Sequence, residues 1–323
     1  MARYAFRRLL ISIPVIIAAS IVVFFGVTVV GDPLGELLIT PGVDMATVDR
    51  IIERRHLDRP LWVQYGFWVQ TVFTDGFGTT VGGNPIWPDL RRAMWFTLQL
   101  IVAAEVLALF FGILIGVVAA RRQYSIFDYT ATTISFLGYS IPVFWFALIL
   151  QVLATSFFAS TGIRLFYTAG VSSVDPGTGF AFLVDRLQHL TLPILTIAFV
   201  SVAAYSRYMR ASMLEVVGAN YVTTARAKGL PEHQVMRRHA LRNALIPIAT
   251  LAALNFGTVF TGAIVAEVVF ALPGMGTFFI RALNDREVYN IMAFLMVTSV
   301  VVVIANLLAD LAYGLLNPRI RTS

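Results

Sequence analysis

The sequence predicts an all-α, polytopic membrane protein of six transmembrane helices, and three observations carry that prediction. Of 323 residues, 58% are hydrophobic and only 13% are charged, about half the charged fraction of an ordinary soluble domain. A soluble domain of this size still needs a charged shell, so the shortfall points to a surface facing lipid and excludes a soluble enzyme. Six stretches, roughly 9–30, 95–120, 128–158, 188–209, 245–266 and 289–313, supply the ~20 apolar residues that a bilayer crossing needs. An even number places both termini on one side. Fourteen of the 24 Lys+Arg residues fall on that side, and six of the other ten lie in one long loop, which the positive-inside rule discounts. Both termini are therefore expected in the cytoplasm. The net charge of +6 reads as a topology signal, not as a nucleic-acid footprint. Cysteine is absent, which leaves no disulfide framework or thiolate metal site.

The first helix, within 1–30, follows Arg3, Arg7 and Arg8; its apolar run is longer than the ~7–15 residues of a signal peptide, so it is read as retained. Residues 31–94 form an extracytoplasmic insert opened by Gly31-Asp32-Pro33. Within it Val48, Ile51 and Ile52 share one helical face. The aromatics Tyr65, Phe67, Trp68 and Phe73 precede a Gly-rich stretch from Asp75 to Gly83. Two readings stand for this insert: an interfacial cap with aromatics at headgroup level, or a docking surface for an external partner. Residues 95–323 hold the other five spans. Gly112 and Gly116 have the spacing of close helix packing. The third stretch contains Gly138 and Pro142, which predict a kink, a tilt or an extra interfacial turn.

The cytoplasmic loop 210–244 is patterned. Tyr221, Thr224, Ala225 and Lys228 recur at i, i+3, i+4 and i+7 and so share one face of a short helix. Gly229 and Pro231 supply a left-handed cap and a stop. A second helix is expected to restart at Pro231, with Glu232 near its positive end, and to run to Pro247.

These residues carry a resemblance. The run Tyr221-Val-Thr-Thr-Ala-Arg-Ala-Lys-Gly-Leu230, followed by Arg237-Arg-His-Ala-Leu-Arg-Asn-Ala-Leu-Ile-Pro247, resembles the EAA loop of ABC-importer permeases of the oligopeptide/dipeptide/nickel subfamily. Further matches are Leu57-Asp-Arg-Pro-Leu-Trp-Val-Gln-Tyr65, Asp128-Tyr129 leading to Ser140-Ile-Pro-Val-Phe144, and Glu267-Val-Val-Phe-Ala-Leu-Pro-Gly-Met-Gly276. Together they span essentially the whole chain and resemble the first permease subunit, the kind with a long external insert. Thr223 or Thr224 stands where the generic motif has an acid, and Gly229 to Pro247 is longer than the generic spacing.

The resemblance implies a type I ABC importer permease in the cell (inner) membrane, moving di- or oligopeptides from an external binding protein into the cytoplasm. It implies a second homologous permease subunit and two ATP-binding subunits as partners, with ATP and Mg held by the latter. It implies that Tyr221, Thr224, Ala225, Arg226, Ala227, Lys228, Gly229 and Leu230 dock on an ATPase and transmit its closure. Haem-like or nickel-chelate cargo and an ion-coupled secondary transporter are the alternatives, though the latter's paired broken helices and midplane ionisable groups are not evident.

The residues say independently that this chain has no P-loop, which needs G-x-x-x-x-G-K-[ST]; the single lysine, Lys228, is followed by Gly229. That lysine either pairs with an acid on the ATPase or is solvated. Catalytic signatures and metal-ligand clusters are absent from the sequence pattern. A charge inside a span costs about 2.5–3.5 kcal/mol on insertion scales and defaults to a functional hypothesis. Glu105 either faces the pore or pairs with the second permease subunit, and Asp310 reads as a structural ion pair. Glu267, Pro273, Gly274 and Met275 are candidates for the outer mouth of the path, while His189 at a span boundary reads as structural.

Overall fold

A computed structural model describes residues 2–30 and 45–316. The side chains of residues 2–5, 30, 47, 253, 256–262 and 309–316 are not described, so the expected Asp310 ion pair lies outside the description, and Arg319, Arg321 and the opening of the insert lie outside the described residues altogether. The helices are α1 (Ala2–Val30), α2 (Met45–Arg55), α3 (Leu61–Thr74), α4 (Ile86–Arg121), α5 (Ile126–Ser140), α6 (Val143–Thr161), α7 (Phe180–Val217), α8 (Asn220–Ala227), α9 (Arg242–Val269), α10 (Met275–Asn284) and α11 (Val288–Leu316). A short turn at Glu232–Gln234 and a π-helical stretch, Val235–Leu241, join α8 to α9. Among the described residues there is no strand, only an isolated bridge between Thr79 and Pro85.

Among these residues five helical segments are long and apolar enough to cross a membrane: Phe6–Val29, Ile86–Arg121, Val143–Thr161, Phe180–Val217 and Val288–Leu308. The remaining expected span, 245–266, falls inside α9, part of whose side chains are outside the description. The stretch 128–158 is not one helix. It breaks at Ile141, which adopts φ −80° and ψ 127°, because the ring of a following proline pushes the preceding residue out of the α region. Pro142 then opens α6, whose end is closed by Gly162 in the left-handed region.

The chain divides into two compact units, and neither follows chain order: one is residues 98–272 with both terminal segments, the other residues 6–97 and 273–304. In the second unit α1 and α3 pack through aromatic rings. Phe24 meets Tyr65 at 5.5 Å and Trp68 at 5.6 Å between ring centres, and the hydroxyls of Ser20 and Tyr65 lie 2.8 Å apart. Trp68 is buried, so this aromatic of the insert is core and not headgroup anchor, while Trp62 and Phe73 remain exposed. The Gly-rich stretch is a tight turn, with Thr80 donating to the Asn84 carbonyl at 2.7 Å, and Arg55 ties it to α2 by a hydrogen bond to the Thr79 hydroxyl at 3.1 Å.

In the first unit α7 is the axis. Met209 and Met213 of α7 are buried with Ala240, Ala244 and Ile248 from the π-helical stretch and α9. Gly112 and Gly116 let α4 approach closely: a Cβ at Gly112 would stand 2.5 Å from the Tyr205 Cβ, and one at Gly116 2.5 Å from the Met209 Cβ. Phe146 of α6 stacks on Phe199 of α7 at 4.0 Å. His189 is buried, stacked on Tyr167 at 3.9 Å, with Nδ1 2.8 Å from the Asp185 carbonyl; this is a structural histidine.

Candidate functional site: the capped helix of the 210–244 loop

α8 has eight residues, too few to persist alone in water, so its order comes from packing and its caps. Val222 and Ala225 are buried against Val235, with Val216 packed alongside. The adjoining stripe, Tyr221, Thr224 and Lys228, is exposed, with Tyr221 at 45% of its full accessibility. Ala225 shares helical spacing with Tyr221 and Lys228 but is itself buried, and its small side chain lets α8 approach Val235 closely.

The C-terminal end closes as a Schellman motif. Gly229 sits at φ +77°, its N–H donates to the Arg226 carbonyl at 2.9 Å, and the Leu230 N–H donates to the Ala225 carbonyl at 3.4 Å. Arg226 then reaches across the turn to Glu232, donating through Nε at 3.1 Å and Nη2 at 2.8 Å. This bidentate contact holds the Glu232 carboxyl below the usual carboxylate range. Arg226 is thus engaged within the loop, whereas the Lys228 side chain is exposed and forms no ion pair among the described residues. The helix expected to end at Pro247 does not: after Pro231 the chain makes a turn, then the π-helical stretch, and α9 continues through Pro247 to Val269. A proline removes one internal hydrogen bond, which 28 residues of packed helix tolerate.

Two polar contacts within the first unit join residues far apart in sequence. Asp128 at the first turn of α5 accepts from Arg210 Nε at 2.6 Å and Nη2 at 2.7 Å, and from the Tyr124 N–H at 2.9 Å. Arg210 is the main reason that the Asp128 carboxyl stays below its usual range. Glu105 is buried and accepts from the Tyr205 hydroxyl through Oε1, while Oε2 has no hydrogen-bond partner among the described residues. Asn255 donates to the same tyrosine oxygen at 3.2 Å. Tyr205, Asn255 and the Asp128–Arg210 pair carried no periodic signal, since 82 and 100 residues separate the paired groups. The Arg226–Glu232 clamp had a local signal instead, opposite charges flanking Gly229 and Pro231.

The outer-mouth candidates are largely turned inward within the chain. Glu267 and Met275 are fully buried, Gly274 is buried, and only Pro273 is exposed. Among the described residues no three His, Asp or Glu side chains gather as a metal site.

Long apolar helices, several of them packed on α7, with a braced and capped helix on the loop between two of them, define a polytopic membrane protein. Residues 112–322 match the family described as binding-protein-dependent transport system inner membrane component, and the chain belongs to that family: it is an inner-membrane transport subunit. More particularly, it is 37% identical to the oligopeptide transport system permease protein AppB of Bacillus subtilis, over 99% of each chain. It is 33% identical to the dipeptide transport system permease protein DppB of Escherichia coli K12, again over 99% of each. Its fold resembles that of a chain of the inward-facing MetNI methionine ABC transporter, with a TM-score of 0.54 at 17% identity, covering 71% of this chain and 96% of the other. An amino acid ABC transporter matches with a TM-score of 0.51 at 16% identity, covering 70% and 93%.

Proposed function

We propose that this chain is one of two permease subunits of an ATP-driven importer that carries di- or oligopeptides from an extracytoplasmic binding protein into the cytoplasm. The observation that carries the proposal is the exposed Tyr221–Thr224–Lys228 surface, held rigid by the Val222, Ala225 and Val235 contact and by the Gly229 cap. A short helix braced on one side and bare on the other can pass a push from a partner into α9 and α7. Peptide as cargo is supported by the names of the similar permeases. ATP and Mg belong to two partner ATPase subunits, and six spans with cytoplasmic termini are the topology that puts α8 beside them.

Within this reading Tyr221, Thr224, Lys228 and Leu230 touch the ATPase, Arg226 and Gly229 shape the loop, and Ala225 braces it. The assembled transporter carrying Gly229→Glu is expected to insert normally and to lose stimulation of ATP hydrolysis by peptide-loaded binding protein. A peptide-stimulated rate equal to wild type sinks the proposal. A chain moving ions instead would show peptide-independent uptake driven by an ion gradient.

A further inference from the structure

We propose that the groove between α4, α5 and α7 binds an anionic phospholipid, with an acyl chain along the groove and the phosphate held by Arg207. The groove measures about 190 Å³ and is walled by Ile115, Phe127, Ile134, Phe199 and Val202. Three of its residues, Ile115, Ala131 and Ser135, also line a small cleft that leads on to Arg207 and Arg210. An apolar trough bordered, across a narrow cleft of about 10 Å³, by guanidinium groups has the polarity of a lipid, tail along the walls and headgroup beside Arg207.

The two arginines differ in what they have left to give. Arg210 is committed to Asp128 by two short hydrogen bonds. Arg207 donates Nε to the Ala203 carbonyl at 3.3 Å, and its guanidinium carbon lies 5.0 Å from the ring centres of both Phe136 and Tyr139. Among the described residues no carboxylate pairs with it. Aromatic contact on the face of a guanidinium leaves its edge N–H groups free, and that edge fits a phosphate with two parallel hydrogen bonds. Arg207 lies about 15 Å before the end of α7, at 1.5 Å per helical residue, on the side that carries α8. Basic pockets between spanning helices on the cytoplasmic side suit anionic headgroups, and an unpaired cation in a spanning helix calls for such a partner.

The inference uses the membrane topology and does not depend on the transport assignment. Full-length protein in nanodiscs of mixed phosphatidylglycerol and phosphatidylcholine, released for native mass spectrometry, is expected to retain phosphatidylglycerol with about tenfold preference, the worth of one charge-assisted contact. Arg207→Gln should bring that preference close to unity, and Ile134→Trp, which fills the groove, should remove retention of both lipids. Equal retention by wild type, or an unchanged preference in Arg207→Gln, overturns the site; if that variant fails to insert, the wild-type lipid comparison and Ile134→Trp still decide. Displacement of the lipid by millimolar dipeptide or inorganic phosphate would assign Arg207 to a soluble anion and overturn it too. Because the chain has no cysteine, Ile134→Cys takes a single fluorophore. In the assembled transporter, quenching by nitroxide lipids supports the site, and protection from them means that a partner helix covers the groove and overturns it.

Discussion

Asp128 shows how one carboxylate can fix a helix start and a helix pair together. Ser125 caps α5 by accepting from the Asp128 N–H at 3.2 Å, while the Asp128 side chain returns to the Tyr124 N–H and to Arg210. The carboxylate is buried, whereas the Arg210 side chain keeps 27% of its accessibility. Asp128→Asn should therefore cost about 3 kcal/mol, the low end for breaking a buried pair, read as a lowered thermal midpoint in detergent. The folded carboxyl titrates below its unfolded value near 3.9, so the pair's contribution is complete above that pH and is lost as pH falls further. The wild-type midpoint should fall in that acid range and the Asp128→Asn midpoint should not follow it. At Gly229 the cost is conformational: a Cβ would meet nothing within 4 Å, but φ +77° costs an L-residue about 1–2 kcal/mol. Gly229→Ala should speed hydrogen exchange of the Leu230 amide roughly tenfold, the equivalent of that strain, and Gly229→Asn, which tolerates the left-handed region, should restore most of the protection.

At the scale of elements, the contact between α4 and α7 depends on two glycines four residues apart. A Cβ at Gly116 would also fall 2.7 Å from the Ser206 carbonyl oxygen, a backbone atom that cannot rotate away. Gly116→Ala should destabilise by about 1–3 kcal/mol, the usual cost of overpacking. Gly66→Ala in α3, where nothing lies within 4 Å, should instead stabilise by about 0.5–1 kcal/mol through helix propensity. Thermal unfolding of both variants in one detergent checks the opposite signs. Gly112-x-x-x-Gly116 was legible because its spacing alone states the packing, and the Gly229–Pro231 stop because both residues have strong backbone preferences. The inward turn of Ala225 was not, since helical spacing says which residues share a face but not which face is covered. Nor was the π-helical stretch, within which Val235 buries against α8 and Ala240 against α7. The pairing of Glu105 with Tyr205 is likewise a product of helix contact, invisible to any local pattern.

For the molecule as a transport subunit, what matters is whether motion at α8 reaches the bundle. The route within the first unit is continuous. Val222 and Ala225 bury against Val235, the π-helical stretch that starts there brings Ala240 against Met209 and Met213, and Ser212 Oγ donates to the Ala244 carbonyl at 3.1 Å. Each contact is between packed side chains or a buried hydrogen bond, so displacement of α8 cannot be absorbed without moving α7 or opening a void. Val235 is the narrowest part of that route, fully buried and outside the apolar spans. Val235→Ala removes two methyl groups there and leaves the exposed Tyr221–Thr224–Lys228 surface intact. Changes along such a contact chain alter coupling by about 0.5–2 kcal/mol, which corresponds to roughly twofold to thirtyfold in the coupled rate. In the reconstituted transporter, peptide-stimulated ATP turnover should fall by that factor while basal turnover and ATPase copurification stay at wild-type level. Loss of ATPase copurification would show that Val235 shapes the docking face, and an unchanged stimulated rate would show that the push travels by another path.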